Sequence, residues 1–204
     1  MLTVYLGAAA IYIAFSTFAM WTPTFFGRTF ALNLKEAGKI TAIITLLSLP
    51  GSPIGGWVGD RLLKIAPQGR LWAAAIGVTM FALFISIGLQ ISNLQVAVIF
   101  WVIAVFFLTS YTSNLIAVTQ DLVPPYFRSI SYSFIPLFQQ LLAGVWAPMI
   151  AGAISDRFGL SYALQIIAIF SVGLALLLFF LAMRFYRSDL EKVMKLGTFK
   201  LDQK

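Results

Sequence analysis

The sequence contains no cysteine and no histidine, and it has few charged side chains. Without cysteine and histidine there are no thiol nucleophiles, no disulfides, no Ser-His-Asp chemistry and none of the usual transition-metal ligand sets, so we expect no cofactor. Charged residues make up 10% of the chain, whereas a soluble domain carries about a quarter. With 60% hydrophobic residues and a mean hydropathy of +0.93, the composition predicts an integral membrane protein.

Stretches without charged residues divide the chain into segments long enough to cross a membrane. A transmembrane helix needs roughly 20 apolar residues, so the charge-free stretch 71–120 holds two helices, separated by the polar cluster at 90–93. We predict six helices, called spans 1 to 6 below, near 3–27, 37–62, 70–90, 94–121, 127–154 and 160–184. Residues 187–204 are predicted to form a basic tail beside anionic lipid, which accounts for part of the net charge of +7 without a nucleic-acid partner.

A short motif occurs twice and divides the six spans into two similar units. Gly56–Arg61, with the sequence GWVGDR near the end of span 2, is matched 96 residues later by Gly152–Arg157, GAISDR, near the end of span 5. Because the two motifs are three helices apart, they are expected on opposite sides of the bilayer. The predicted fold is all-α, a domain over 1–186 whose six transmembrane helices form two inverted three-helix repeats, 1–90 and 93–184.

Lys and Arg side chains are distributed unequally between the two ends of the predicted spans. With six spans, the side that holds both termini carries ten of the fourteen basic residues. Loops on the cytoplasmic side are enriched in Lys and Arg. We therefore expect both termini in the cytoplasm and the protein in the cell membrane.

Polar and aromatic side chains within the spans are the candidates for a solute path. Tyr12 falls near the middle of span 1, where a phenolic hydroxyl needs a partner or water. Span 4 is the most polar span, and span 5 carries two adjacent amides. Such side chains face either a helix partner or a wet cavity, and we expect the cavity. The predicted path residues are Tyr12, Trp21, Tyr111, Asn114, Gln139 and Gln140.

Small residues and prolines give span 2 a surface for close packing and a bend. Gly51, Gly55 and Gly59 recur every four residues, a spacing typical of helices in close contact. Pro50 and Pro53 remove backbone donors, so we expect the helix to bend or open there.

The order of these motifs resembles the major facilitator superfamily, and more closely its spinster-like branch. The resemblance is carried by Trp21–Phe25 (WTPTF), Gly55–Leu62 (GGWVGDRL) with Gly69-Arg70, Gln120–Arg128 (QDLVPPYFR) and Ser155–Gly159 (SDRFG). These segments resemble the carboxy-terminal six-helix half of such transporters. The resemblance implies secondary transport of a small, amphipathic organic solute by alternating access, with two six-helix halves around a central site.

The resemblance also implies a set of gating residues at the ends of the spans. In that role Asp60 accepts hydrogen bonds from a neighbouring helix, or pairs with Arg61 or Arg70, and latches helices on one side of the membrane in one state. The alternative is that the Asp-Arg pairs only end and orient their helices. The predicted gating set is Gly56, Gly59, Asp60, Arg61, Arg70, Asp121, Arg128, Asp156 and Arg157.

Charged side chains are absent from the interior of the predicted spans. These spans therefore offer no group for proton or ion coupling and no acidic pair for an intramembrane protease, so we do not expect an enzyme. The expected partners are the lipid bilayer, a small-molecule substrate and a second six-helix half, either a missing amino-terminal half or another chain. The alternative function is a non-transporting membrane scaffold or partner-binding subunit whose polar span 4 faces another protein.

Overall fold

The computed structural model describes residues 2–201, and the side chains of residues 2–186. Within this part of the chain six helical spans are long and apolar enough to cross a membrane, which confirms the predicted number. The last helix extends to Leu201, beyond its predicted end at 184. The predicted tail, 187–204, lies outside the residues whose side chains are described. The spans are Leu2–Thr29, Leu34–Leu63, Gly69–Gly88, Leu94–Asp121, Pro125–Phe158 and Leu160–Tyr186.

Spans 1, 3, 4 and 6 are single helices, whereas spans 2 and 5 are each interrupted. Span 2 breaks at Leu49 and Pro50, where the prolines predicted a bend. Span 5 opens with a 3₁₀ turn at Pro125–Phe127 and is divided by a π-helical turn at Gln140–Gly144. The α-helices are α1 (Leu2–Thr29), α2 (Leu34–Ser48), α3 (Gly51–Leu63), α4 (Gly69–Gly88), α5 (Leu94–Asp121), α6 (Arg128–Gln139), α7 (Trp146–Phe158) and α8 (Leu160–Leu201).

The two interruptions fall at equivalent places in the two repeats. A shift of 96 residues carries Leu49 and Pro50 onto Val145 and Trp146, where the π turn gives way to α7. Pro148 has no N–H to return to the carbonyl of Gly144, which weakens the α-helical pattern in the preceding turn. A break is therefore built into the second helix of each repeat.

Side-chain caps fix where spans 2 and 4 begin. The Asn33 Oδ1 atom accepts from the backbone N–H of Glu36 at 2.9 Å, and the Glu36 carboxylate accepts from the N–H of Asn33 at 3.2 Å. This capping box starts α2 three residues before the predicted position of the helix. Asn93 caps α5 in the same way, by accepting from the N–H groups of Gln95 and Val96.

The helices of the two repeats pack in matching pairs. Span 1 contacts spans 2, 5 and 6, and span 4 contacts spans 5, 2 and 3. The contact of span 2 with span 3 has its counterpart in the contact of span 5 with span 6. Exchanging each span of the first repeat for its equivalent in the second therefore reproduces the same packing scheme, as a pseudo-two-fold relation requires.

An aromatic cluster fills the core between spans 1, 3 and 4. Trp101 is fully buried and stacks on Phe25 with ring centroids 4.9 Å apart. Phe18 meets Trp101 and Phe81 edge to face, at 5.5 and 5.4 Å, and Phe26 meets Trp101 at 5.1 Å. Offset and edge-to-face aromatic pairs each contribute about 1 kcal/mol beyond the area they bury. The cluster makes these three spans a rigid centre.

The two Asp-Arg turns lie at opposite ends of the bundle. Arg70, at the start of span 3, pairs with Asp60 at the end of span 2 and with Asp121 at the end of span 4. Span 5 then runs away from this end, so that Asp156, in the last turn of α7, lies at the far end. The inverted arrangement expected from the repeated motif is confirmed.

Candidate functional site

An ion-pair cluster joins three helices at one end of the bundle. The Arg70 guanidinium donates to the Asp60 carboxylate from Nη2 at 2.8 Å and from Nε at 3.1 Å. Its Nη1 atom donates to Asp121. The Arg70 side chain is 18% exposed, compared with 62% for Asp60 and 31% for Asp121, so the cluster has a sheltered cation and one sheltered acid. A planar guanidinium that binds two carboxylates fixes spans 2, 3 and 4 relative to one another.

The other predicted gating charges are not part of this cluster. Arg61 lies over the ring of Trp57, with its Cζ atom 4.5 Å from the ring centroid, so of the two expected partners of Asp60 it is Arg70 that pairs with it. Arg128 is exposed at the start of α6. Asp156 and Arg157 are exposed in the last turn of α7, at the opposite end from Arg70.

Glycines on α3 bring spans 2 and 4 into backbone contact. Gly51, Gly55 and Gly59 face a row on α5 with the same four-residue spacing: Phe106, Ser110 and Asn114. A Cβ atom added at Gly55 would lie 2.6 Å from the Cα atom of Ser110, and one at Gly59 would lie 2.8 Å from Cγ of Asn114. At Gly51 and Gly55 the obstacles include backbone atoms, so no larger residue fits at the observed helix separation, whereas at Gly59 the obstacle is the Asn114 side chain.

Gly56 and Gly59, two predicted gating residues, therefore lie in a helix interface. A Cβ atom at Gly56 would be 3.4 Å from Cβ of Ser113. Ser113 donates to the carbonyl of Ser52, and the hydroxyls of Ser52 and Ser113 are 3.2 Å apart. Close approach of the two helices allows these side-chain bonds between them.

Asn114 is buried against a neighbouring helix, which is the alternative to the wet cavity expected for it. Its side chain is 1% exposed, and its Nδ2 atom donates to the carbonyls of Gly55 at 2.9 Å and Ser110 at 3.1 Å. Its Oδ1 atom is buried and accepts no hydrogen bond from the described residues. Asn114 thus joins span 4 to the backbone of span 2 rather than lining an open cavity in this structure.

Three of the predicted path residues lie between spans 1 and 5, where Tyr12 contacts Gln140 and Trp21 contacts Pro148. The Gln140 Nε2 atom, at the start of the π turn, donates to the hydroxyl of Tyr12 at 3.0 Å. The Trp21 indole N–H donates to the carbonyl of Pro148 at 3.0 Å, and its ring covers Gly152. Gln140 is exposed, while Tyr12 and Trp21 are half-buried, so this face offers polar groups at the middle of apolar helices.

The other two path residues share a smaller cavity between spans 4 and 5. Tyr111 is buried, Gln139 is half-buried, and both line a cavity of about 100 Å³ together with Tyr132. Gln139 and Gln140 thus point to different environments although they are adjacent. The six predicted path residues are divided among a helix interface, this cavity and the face of spans 1 and 5.

A row of hydroxyl-bearing residues that was not predicted from the sequence lies along a larger cavity. This cavity, of about 260 Å³, lies between spans 1, 2 and 4 beside the break in span 2. Thr41, Thr45 and Ser48 line it from α2, Thr22 from α1 and Thr109 from α5. The signal was present in the sequence, because Thr41, Thr45 and Ser48 follow one another at the spacing of one helix face.

A groove of about 420 Å³ lies between spans 1 and 5 near the amino-terminal end of the described chain. Its walls are apolar and aromatic and include Phe134 and Phe138. Tyr5 and Ser131 also line it, where Ser131 donates to the carbonyl of Thr119 and shares a 2.7 Å hydrogen bond with the hydroxyl of Tyr5. This network joins spans 1, 4 and 5 at the start of span 5.

The family model of the Major Facilitator Superfamily matches residues 4–201. The chain belongs to the Major Facilitator Superfamily. It is 27% identical over 182 residues to an uncharacterized transporter of Bacillus subtilis (strain 168), YybO, and 28% identical over 185 residues to an MFS-type efflux pump of Mycolicibacterium smegmatis. These alignments cover 88% and 90% of this chain but 41% and 42% of the relatives. The chain thus spans about two-fifths of the length of the curated relatives it matches.

Solved structures match the fold over nearly the whole chain. Two crystal structures of a bacterial homolog to the human lysosomal transporter Spinster, inward-facing and either unoccupied or occupied, give TM-scores of 0.82 and 0.81. Each match covers 92% of this chain, at 18% identity, and 48% or 50% of the solved chain. The fold is therefore half of a major facilitator fold and is spinster-like, as the motifs predicted. Both curated relatives are named as transporters, and the family match together with the six apolar spans indicates an integral membrane protein.

Proposed function

We propose that this chain forms one half of a secondary transporter, the carboxy-terminal one, and moves a small, amphipathic organic solute by alternating access. The second six-helix half is a further part of the same protein or another chain. The face formed by spans 1 and 5 supports this proposal. It combines exposed apolar and aromatic side chains with the hydrogen-bonded pair Tyr12 and Gln140.

Polar groups on this face carry the proposal. Amide and phenol groups that face lipid at the middle of a membrane are costly, so the exposed amide of Gln140 is expected to face water or a solute. Trp21 extends the same face along span 1, and we propose that the cavity lined by Tyr111 and Gln139 belongs to the same path. We assign Asn114 to the joint between spans 2 and 4, because both of its amide hydrogens are bound within that joint.

We propose that the Arg70 cluster acts as a latch, and its two ion pairs support this role. By joining the ends of spans 2, 3 and 4 it makes them move together, as a rigid-body rocking mechanism requires. Arg128, Asp156 and Arg157 are exposed, and we propose that they meet the second half in one of the two states. The distribution of Lys and Arg favours the cytoplasm for the end that holds Arg70, and the cell membrane for the protein.

Cysteine labelling tests the path, because the chain has no native cysteine. Single variants Gln140→Cys and Phe170→Cys, both exposed positions, are treated in lipid vesicles with a water-soluble maleimide. We expect Gln140→Cys to react and Phe170→Cys, the matched control on span 6, to stay unreacted in lipid. If the chain is a transporter half, Gln140→Cys stays reactive when the second half is bound. If the chain is a scaffold whose polar face is covered by a partner, the same cysteine is protected from the maleimide.

Transport by this chain alone is the complementary test. Proteoliposomes that contain only the 204-residue chain are expected to show no solute uptake above empty liposomes, because half of the central site is supplied by the second half. Robust uptake by this chain alone would contradict the proposal of a half-transporter.

A further inference from the structure

The outward face of α3 carries an arginine that rests on an aromatic ring. Arg61 and Trp57 are both exposed, and the Arg61 Cζ atom lies 4.5 Å from the centre of the Trp57 ring. A cation–π contact of this kind holds the guanidinium in place and leaves the N–H groups at its edge free to donate. Lys64 is exposed three residues further along the same side of the helix.

This face of α3 is exposed on the outside of the bundle. The glycine row that contacts α5 lies on the opposite side of the helix, since it is offset from Trp57 by two residues. The neighbouring Asp60 pairs with Arg70. Among the described residues no carboxylate lies within ion-pair distance of Arg61 or Lys64, so two exposed cations are available for an anion.

Along this face the side chains follow the layers of a bilayer. Ile54 is exposed three residues before Trp57, on the side of the membrane interior, while Arg61 and Lys64 lie at the end of span 2. A rise of 1.5 Å per residue spreads the four side chains over about 15 Å. Tryptophan favours the membrane interface, and Trp72, exposed near the start of span 3, is a second one at this end. The two cations therefore lie at the level of lipid headgroups.

The equivalent face at the other end of the bundle lacks this arrangement. Both Asp-Arg motifs end in an exposed arginine, Arg61 in the first repeat and Arg157 in the second. Under the same shift of 96 residues, however, Trp57 becomes Ala153, and Lys64 becomes a buried leucine. The aromatic ring and the second cation are thus found in one repeat only. They are not required by the fold that the repeats share, so they need an explanation of their own.

We propose that this face of α3 binds an anionic phospholipid. Arg61 and Lys64 donate to the phosphate, which a guanidinium can bind through two N–H groups, while Trp57 and Ile54 contact the glycerol and the acyl chains. A zwitterionic headgroup would bring its own ammonium group close to two cations, so a lipid with net negative charge is preferred. Binding of lipid at this site does not depend on transport by the chain.

Quenching of tryptophan fluorescence by brominated lipids tests this site. The full chain is placed in phosphatidylcholine nanodiscs that contain increasing fractions of brominated phosphatidylglycerol or, separately, brominated phosphatidylcholine. The chain has five tryptophans, so the Trp57 signal is the difference between the unchanged chain and Trp57→Phe. We expect a binding constant at Trp57 that is at least about fivefold higher for phosphatidylglycerol than for phosphatidylcholine. Equal binding of the two lipids would overturn the proposal and leave this face to a protein partner.

Charge variants locate the headgroup. Arg61→Gln and Lys64→Gln each remove one exposed cation, and each is expected to lower the preference for phosphatidylglycerol about two- to fivefold. Arg157→Gln is the matched control, because it removes the same charge from the exposed arginine of the other motif and should leave the preference at Trp57 unchanged. An unchanged preference in both of the first two variants would overturn the proposal. So would an equal decrease in Arg157→Gln, since it would show a general effect of net charge.

Discussion

Replacing Gly55 with alanine is expected to separate spans 2 and 4. The new Cβ atom would lie 2.6 Å from the Cα atom of Ser110 and would also meet its carbonyl oxygen, whereas ordinary contacts start at 3.4 Å. Both of these atoms belong to the backbone of Ser110, so no change of side-chain rotamer relieves the overlap. The helices must move apart locally by roughly 1 Å, in a packed interior that resists such shifts.

The cost of Gly55→Ala follows from two losses and one gain. Overpacking in a well-packed interface costs about 1–3 kcal/mol. The separation also stretches the 2.9 Å bond from Asn114 to the carbonyl of Gly55, and a hydrogen bond between membrane helices contributes about 0.6–2 kcal/mol. Alanine returns about 1 kcal/mol of helix propensity. We expect a net loss of about 2 kcal/mol, within a range of roughly 0.6–4 kcal/mol.

Unfolding of the purified chain in mixed micelles, titrated with a denaturing detergent, measures this loss. Gly173→Ala is the matched control, because Gly173 lies on span 6 with nothing within 4 Å of the added Cβ atom. We expect the control to be unchanged or slightly more stable. Equal stability of the Gly55→Ala and Gly173→Ala variants would refute the close contact of spans 2 and 4.

A double-mutant cycle separates side-chain overlap from backbone overlap. The Cβ atom of Gly59→Ala would overlap the Asn114 side chain, with Cγ at 2.8 Å, so Asn114→Ala removes the obstacle. The pair should therefore show a favourable coupling of about 1 kcal/mol or more. Gly55→Ala should gain no such relief from Ser110→Ala, because the backbone of Ser110 stays in place. The opposite pattern would show that the helix register differs from the one described.

Four further substitutions probe other joints of the bundle, by the same unfolding measurement. Asp121→Asn should cost about 1–2 kcal/mol and Asp60→Asn less than 1, because Asp121 is the more sheltered of the two acids and exposed ion pairs contribute little. Trp21→Phe keeps an aromatic ring, although a smaller one, but leaves the carbonyl of Pro148 without its indole donor, and should cost at least about 1 kcal/mol. Tyr5→Phe removes the hydroxyl that holds span 1 to span 5 and should cost a similar amount.

Each of these predictions has an outcome that contradicts it. A larger loss from Asp60→Asn than from Asp121→Asn would reverse the assigned order of the two ion pairs. No loss from Trp21→Phe would mean that water or another donor reaches the carbonyl of Pro148. For Tyr5→Phe, stability equal to that of the unchanged chain would show that the hydroxyl network does not hold span 5.

The number of spans and most of their limits could be predicted because their signals are local. Span 4 was predicted at 94–121 and is observed at Leu94–Asp121, since Asn93 caps its start and Pro124 prevents its continuation. The start of span 2 was three residues late because the capping box of Asn33 and Glu36 was overlooked. The π turn in span 5 was not predicted, although the position of Pro148 four residues after Gly144 is consistent with it.

The partners of the polar side chains could not be predicted from the sequence. Tyr12 and Gln140 are 128 positions apart, and their contact depends on the rotation of two helices about their axes. The motif around Asp60 indicated a role at a helix end, but the choice of Arg70 over Arg61 depends on where span 3 begins in space. Asn114 was expected to face a cavity because it is polar, and the glycine surface opposite it explains why it can be buried instead.

Labelling from the two sides of a sealed membrane tests the inverted arrangement most directly. Lys64→Cys and Phe158→Cys, each exposed just beyond one of the Asp-Arg motifs, are treated in oriented vesicles with a membrane-impermeant maleimide. The two inverted repeats predict that the two cysteines react from opposite sides, with Lys64→Cys reacting from the cytoplasmic side. Reaction of both cysteines from the same side would contradict the inverted fold and the transporter half built on it.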